Sequence, residues 1–192
     1  MTVFIKTVIH LIAKENNTMA SSVKEPPKEL GQSLATKLLL ACGAIGPLLF
    51  IAVFLIEGTT RSDYNPLRYP ISSLSIGNLG WIQAANFLMV GLFLFAFAFG
   101  LRRVLRASRG VGVFWGPLLF GLAGLGLFCA GIFTTDPIYG YPPSAPLVLA
   151  QYSVHGHFHD IFSLLLFIAL PAACFVFCRR FATLGERGWA VY

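Results

Sequence analysis

The sequence predicts an all-α, multi-pass bundle of membrane-crossing helices, and three observations lead there. The 192 residues are 56% hydrophobic and only 11% charged, against roughly 25% charged in a soluble globular domain, which leaves too few polar side chains to cover a water-facing surface. Four apolar stretches, at about 38–56, 81–101, 111–133 and 161–178, each approach the ~20 residues that a helix needs to cross ~30 Å of hydrocarbon. The third observation is the way these stretches sort the charge. With a cytoplasmic amino terminus, twelve of the fourteen Lys and Arg fall inside and only Arg61 and Arg68 outside. Four acids lie on each side, so the net charge of +6 divides into +8 inside and −2 outside. This Lys and Arg bias is what orients membrane proteins, and it is obeyed at every loop. The expected location is therefore the cell membrane, and the pI of 9.4 reports topology and contact with anionic lipid headgroups, with no nucleic-acid partner.

Each element follows in order. Residues 1–33 are polar and rich in Lys, Glu and Pro, which predicts a disordered cytoplasmic segment ahead of a transmembrane domain over 34–192. The apolar run Val3 to Ala13 is broken by Lys6 and His10 and lacks a signal-peptide cleavage site, so Met19 is the expected biological start. The first span carries Pro47, which predicts a kink. Trp81 opens the second at the expected interface, and Gln83 and Asn86 lie three apart near its outer surface, where polar groups face protein or a small wet cavity. The third is lined by Gly112, Gly116, Gly121, Gly124 and Gly131, small residues that admit close helix neighbours and predict a central position. Pro171 predicts a kink in the fourth. Strands are excluded because no span alternates polar and apolar residues. Cys42, Cys129, Cys174 and Cys178 all fall within spans, which argues against a disulfide framework. After Arg187 the chain reads Gly188-Trp189-Ala190-Val191-Tyr192, the pattern that begins another span, so continuation beyond Trp189 is expected.

The two outward loops hold nearly all the informative polar residues. The first, 57–80, contains Arg61, Arg68, Ser72, Ser73 and Ser75; the second, 134–160, begins Asp136-Pro137 and ends His155-Gly-His157-Phe-His159-Asp160. If the fourth helix begins near Ser153, His155 and His159 share a face one turn apart while His157 points elsewhere. That spacing suits two imidazole ligands of zinc, with Asp136 as a third, oxygen ligand and a position left for water. Asp160 or the metal-bound hydroxide would act as base, and Ser73 would orient a substrate. The competing reading is structural. Interfacial histidines commonly hydrogen-bond a loop carbonyl or a carboxylate, and Asp136, beside a helix carboxyl end where the dipole opposes it, calls for a partner such as Arg61 or Arg68. No span carries a charge at its centre, which argues against an ion pump or proton relay. No phosphate-binding Gly-rich loop, nucleophile elbow or haem-attachment motif occurs.

The runs Ile71-Ser-Ser-Leu-Ser-Ile-Gly-Asn-Leu-Gly-Trp81-Ile-Gln-Ala-Ala-Asn86-Phe, Gly131-Ile-Phe-Thr-Thr-Asp136-Pro137 and His155-Gly-His-Phe-His159-Asp160, with Cys178-Arg-Arg-Phe181, resemble the bacterial and archaeal membrane family called domain of unknown function 998. The resemblance implies a compact bundle of six membrane helices with no established activity. Carried onto this chain, its recurrent polar positions are Ser73, Trp81, Asn86, Asp136, His155 and His159. Only four spans are visible here, so the resemblance implies a truncated chain or a bundle completed by association. A looser similarity runs to membrane metallohydrolases of the alkaline ceramidase and adiponectin-receptor type, which combine Ser, Asp and a His-x-x-x-His pair at one membrane face; their third histidine has no counterpart here.

Three functions remain in view. The first is binding of a lipid headgroup, a membrane-protein partner or a second copy through an outward polar cluster that includes Arg68, Ser73, Trp81, Asn86, Asp136, His155 and His159. The second is zinc-dependent hydrolysis of a lipid amide or ester, and the third is one half of a transporter.

Overall fold

The computed structural model describes residues 34–186 and 188, apart from 62, 111, 139, 144, 149 and 150. The expectations for the amino-terminal segment and for a further span after Trp189 lie outside the described residues. Four long helices are present: α1, Leu34–Thr60; α2, Gly80–Leu105; α3, Trp115–Ile132; and α4, Val154–Thr183, with a short 3-10 turn, Ile71–Ser75, before α2. No strand is formed among the described residues. All four helices are long and apolar enough to cross a membrane. At 1.5 Å per residue, α1 and α4 with 27 and 30 residues are about 40 and 45 Å long, enough for the hydrocarbon and both interfaces.

The helix limits differ from the apolar stretches for identifiable reasons. Thr59 and Thr60 extend α1 because their hydroxyls donate back to the carbonyls of Leu55 and Ile56, each at 2.7 Å, so the final turn satisfies itself. Gly110 and Gly112 adopt φ of 96° and 94°, a left-handed conformation unavailable to most residues, and they delay the start of α3 to Trp115. Pro117 then sits in the first turn of α3, where no intrahelical donor is required. At the other extreme α4 begins seven residues before its apolar run. Ser153 caps it by accepting the Gly156 N–H at 2.9 Å, the side-chain-to-third-residue contact of an N-cap.

Two compact units make up the described chain, and every long helix contributes to both. One comprises 34–45, 93–121 and 170–186. Its interior is a run of rings, Phe97 against Phe120 at 4.9 Å, Phe120 against Phe177 at 6.0 Å and Phe177 against Phe181 at 6.2 Å. It holds Arg102, Arg103, Arg106, Arg109, Arg179 and Arg180. Arg180 is buried and donates to the Arg109 carbonyl at 3.2 Å.

The other unit, Gly46–Leu92 and Leu122–Ala169, carries both long loops. Its close approaches come from glycine. A Cβ at Gly126 would meet the Phe162 carbonyl oxygen at 2.6 Å and the Leu166 nitrogen at 2.8 Å, so α3 and α4 touch through their backbones there. At Gly91 of α2 a Cβ would meet the Phe128 nitrogen at 2.7 Å. At Gly121, which belongs to the first unit, the nearest atom would by contrast be a methyl at 3.9 Å, an ordinary contact. The central position expected of the third span is shared with α2: half of its apolar window is buried and 44% of that of α3, against 17% for α1 and α4. The two loops meet in one aromatic cap. Tyr141 packs on Tyr64 and Tyr69 at 5.8 and 4.9 Å, over Leu74, and the Tyr64 hydroxyl donates to the Tyr69 carbonyl at 3.1 Å.

Candidate functional site

The junction of α3 and α4 shows how His159 and Asp136 are used. Burial excludes water from the last carbonyls of α3, which have no intrahelical donors. His159, 2% exposed, reaches them: its Nδ1 lies 3.0 Å from the Ala130 oxygen and 2.8 Å from the Phe133 oxygen. Carbonyls only accept, so Nδ1–H is the donor to both. The converse holds at the start of α4. Asp136 Oδ2 accepts the Ser153 N–H at 2.8 Å, which places the carboxylate at the positive end of a helix dipole. A Cβ on Gly156 would collide with Asp136 Oδ2, so only glycine leaves room for this carboxylate. Each helix thus supplies or receives the cap of the other.

Asp136 finds its partner at the amino end of α4, while the suggested arginine partners are engaged elsewhere. Arg61 pairs with Glu57 at 2.6 Å, and Arg68 is exposed with its guanidinium 5.5 Å from the Tyr69 ring. His155 is exposed, its ring edge-on to Phe133 at 5.7 Å. His157 Nδ1 lies 2.9 Å from the Ser153 carbonyl, and Asp160 accepts the Tyr152 hydroxyl at 2.7 Å. That hydrogen bond, with burial and the charges of Asp160 and Asp136, pushes the Tyr152 phenol up to about 12. Among the described residues, no group of three His, Cys, Asp or Glu side chains is gathered as for a metal ion.

A second polar group, along α1, the 3-10 turn and α2, is more unusual. Glu57 and Asn86 are each 4% exposed, and Ser73 and Gln83 fully buried. Arg61 donates from one terminal nitrogen to Glu57 Oε1 and from the other to the Ile76 carbonyl at 3.1 Å, which ties α1 to the turn. Asn86 Nδ2 contacts the Phe50 carbonyl and Gln83 Oε1, both at 3.4 Å, which ties α2 to α1. Phe50 and Glu57 are seven residues apart and so share a face of α1. The Phe50 carbonyl accepts only, which orients the Asn86 amide and makes Gln83 Oε1 the second acceptor. The outcome is a seam with five buried atoms that have no protein partner: Glu57 Oε2, Arg61 Nε, Ser73 Oγ, Gln83 Nε2 and Asn86 Oδ1.

Of the residues singled out in the sequence, Ser73 and Asn86 belong to this seam, whereas Trp81, 67% exposed, turns outward. The neighbouring Ser75 is satisfied by donating to the Ser72 carbonyl at 2.7 Å, a distinction among three serines that no sequence pattern carries. Glu57 and Arg61 were read as loop residues. Their i, i+4 spacing directly after an apolar span was the signal that Glu57 lies in the last turn of α1 and that Arg61, just beyond Thr60, reaches back to pair with it.

Comparison with known proteins places this arrangement in a family. Residues 44–192 match the family model described as "Protein of unknown function (DUF998)", and the chain belongs to that family. No curated protein and no solved structure matches it.

The two histidines at helical spacing are expected to respond differently to truncation. His159→Ala leaves the Ala130 and Phe133 carbonyls without their donor and should destabilise the fold by about 1–3 kcal/mol. His155→Ala, at an exposed position, should stay within roughly 0.5 kcal/mol. Thermal unfolding with metal analysis of wild type and both variants checks this. Stoichiometric zinc in the wild type, lost from both variants, would show that the pair acts as ligands.

Proposed function

We propose that this member of the family is a binding protein of the membrane, oriented with its amino terminus in the cytoplasm, that takes the polar headgroup of a lipid into the seam between α1, the 3-10 turn and α2. The five unpaired buried polar atoms carry this reading. A buried donor or acceptor without a partner costs about 1–3 kcal/mol, and native folds rarely keep several together unless something else satisfies them. The exposed helix faces of a membrane protein are bathed in lipid, so a headgroup is the polar ligand held at highest local concentration. The polar atoms at the α3–α4 junction, by contrast, are consumed in capping.

The orientation rests on the charge partition, and reporter fusions test it. Those after Arg106 and Arg180 should read cytoplasmic and one at Tyr141 external; a cytoplasmic signal at Tyr141 would invert the assignment. The binding itself is read by native mass spectrometry of protein released from nanodiscs made with its host membrane lipids. Wild type should retain a lipid-sized mass, and the double variant Ser73→Ala, Gln83→Leu should lose it. A mass retained equally by both, a protein-sized mass, or no bound mass in either would contradict the proposal.

A further inference from the structure

The seam's unpaired atoms also specify what kind of headgroup it takes, an inference that rests on the binding reading above. From the geometry we infer that the seam is selective for an uncharged polyhydroxyl group, a sugar or a glycerol, over a phosphate or an ammonium. The first argument is charge. Glu57 and Arg61 form an ion pair at 2.6 Å, with side chains only 5% and 12% exposed, and no other charged residue contributes an unpaired buried atom among the described residues. The seam therefore has no net charge to neutralise a buried ion, and an unpaired ion in a low-dielectric site is strongly disfavoured.

The second argument is donor and acceptor balance. A phosphate only accepts, and its characteristic partner is the two-pronged face of an arginine. Here Arg61 spends one N–H of each terminal nitrogen on Glu57 Oε1 and the Ile76 carbonyl, and its charge is already paired with the Glu57 carboxylate 2.6 Å away, which a phosphate would have to displace or share. An anion would face Arg61 Nε–H, the Gln83 amide N–H groups and the Ser73 hydroxyl, but also the acceptor-only Glu57 Oε2 and Asn86 Oδ1, which would repel it. An ammonium meets the converse mismatch, since it only donates and would oppose Arg61 Nε–H and the Gln83 amide.

A hydroxyl both donates and accepts. The five unpaired atoms call for both roles: Arg61 Nε–H and the Gln83 amide donate, Glu57 Oε2 and Asn86 Oδ1 accept, and the Ser73 hydroxyl does either. A ligand that carries two or more hydroxyls matches this set in kind. A single amide, with one acceptor carbonyl and its N–H groups, leaves part of the set unpaired.

The test uses tritiated ligands and the full chain in phosphatidylcholine nanodiscs, read by scintillation proximity. Three probes are compared: a monoglucosyl diacylglycerol, phosphatidic acid with the same acyl chains, and free glucose. The glucolipid should bind at least tenfold more tightly than phosphatidic acid, and both Ser73→Ala and Gln83→Met should weaken it at least tenfold. Ser73→Ala removes a single hydroxyl, so it reports on binding even if Gln83→Met fails to fold. Binding of free glucose with the same sensitivity to Ser73→Ala identifies a soluble sugar as the source of the polyhydroxyl group, whereas binding of the glucolipid alone identifies a lipid. Seam-dependent binding of phosphatidic acid, equal to or tighter than the glucolipid, would overturn the selectivity and leave the headgroup reading standing. Binding of no probe, together with no retained lipid from host membranes, would overturn both.

Discussion

In hydrocarbon, no water is at hand to satisfy a backbone donor or acceptor, and the rest of the structure depends on that constraint. It dictates four helices, and it makes the helix ends the places where side chains must do what water does elsewhere. The α3–α4 junction answers with a pair of complementary caps. His159 on the first turns of α4 donates to the final carbonyls of α3, and Asp136, just past α3, accepts from the N–H of Ser153. Both groups sit where the helix dipoles favour a donor or a negative charge. Gly156 leaves room for the Asp136 carboxylate, and Gly126 lets α3 and α4 touch through their backbones.

Against this background of satisfied polar groups, the seam on α1, the 3-10 turn and α2 stands out. The same unit that closes one junction with complementary hydrogen bonds leaves five buried polar atoms without protein partners in another. The seam is nonetheless organised: Arg61 holds the turn through Ile76, and Asn86 holds α1 through Phe50. The fixed partners orient the unpaired atoms, and a ligand meeting them does not pay to order them. Pre-set polar atoms in an apolar surround are what selective binding of a polar group requires.

Most of the fold was legible in the sequence because span length and small-residue faces are properties of the chain itself. Four helices, the loop-rich end and the importance of α3 could be read in this way. The helix limits could not, since they depend on local satisfaction: the back-bonded hydroxyls of Thr59 and Thr60, the left-handed Gly110 and Gly112, and the Ser153 cap. Site residues were legible as types but not as roles. His159 and Asp136 stood out by spacing, yet which acceptors surround an imidazole is decided by α3, distant in sequence. Ser73 and Asn86 were visible as polar residues, whereas the seam needed Glu57 to be in the last turn of α1 and Arg61, directly after it, to reach back to it.

The central claim is that the seam's polar atoms are kept for a ligand and not for the fold, and Ser73 tests it most directly. Its hydroxyl is fully buried and has no protein partner, so deleting it removes a desolvation cost and leaves a nearly isosteric side chain. Thermal unfolding of Ser73→Ala and wild type, both in ligand-free phosphatidylcholine nanodiscs, is the measurement. The account predicts that the variant is as stable as wild type or more so. A loss of about 1 kcal/mol or more would mean that the hydroxyl holds the fold together, and the seam would then be structural.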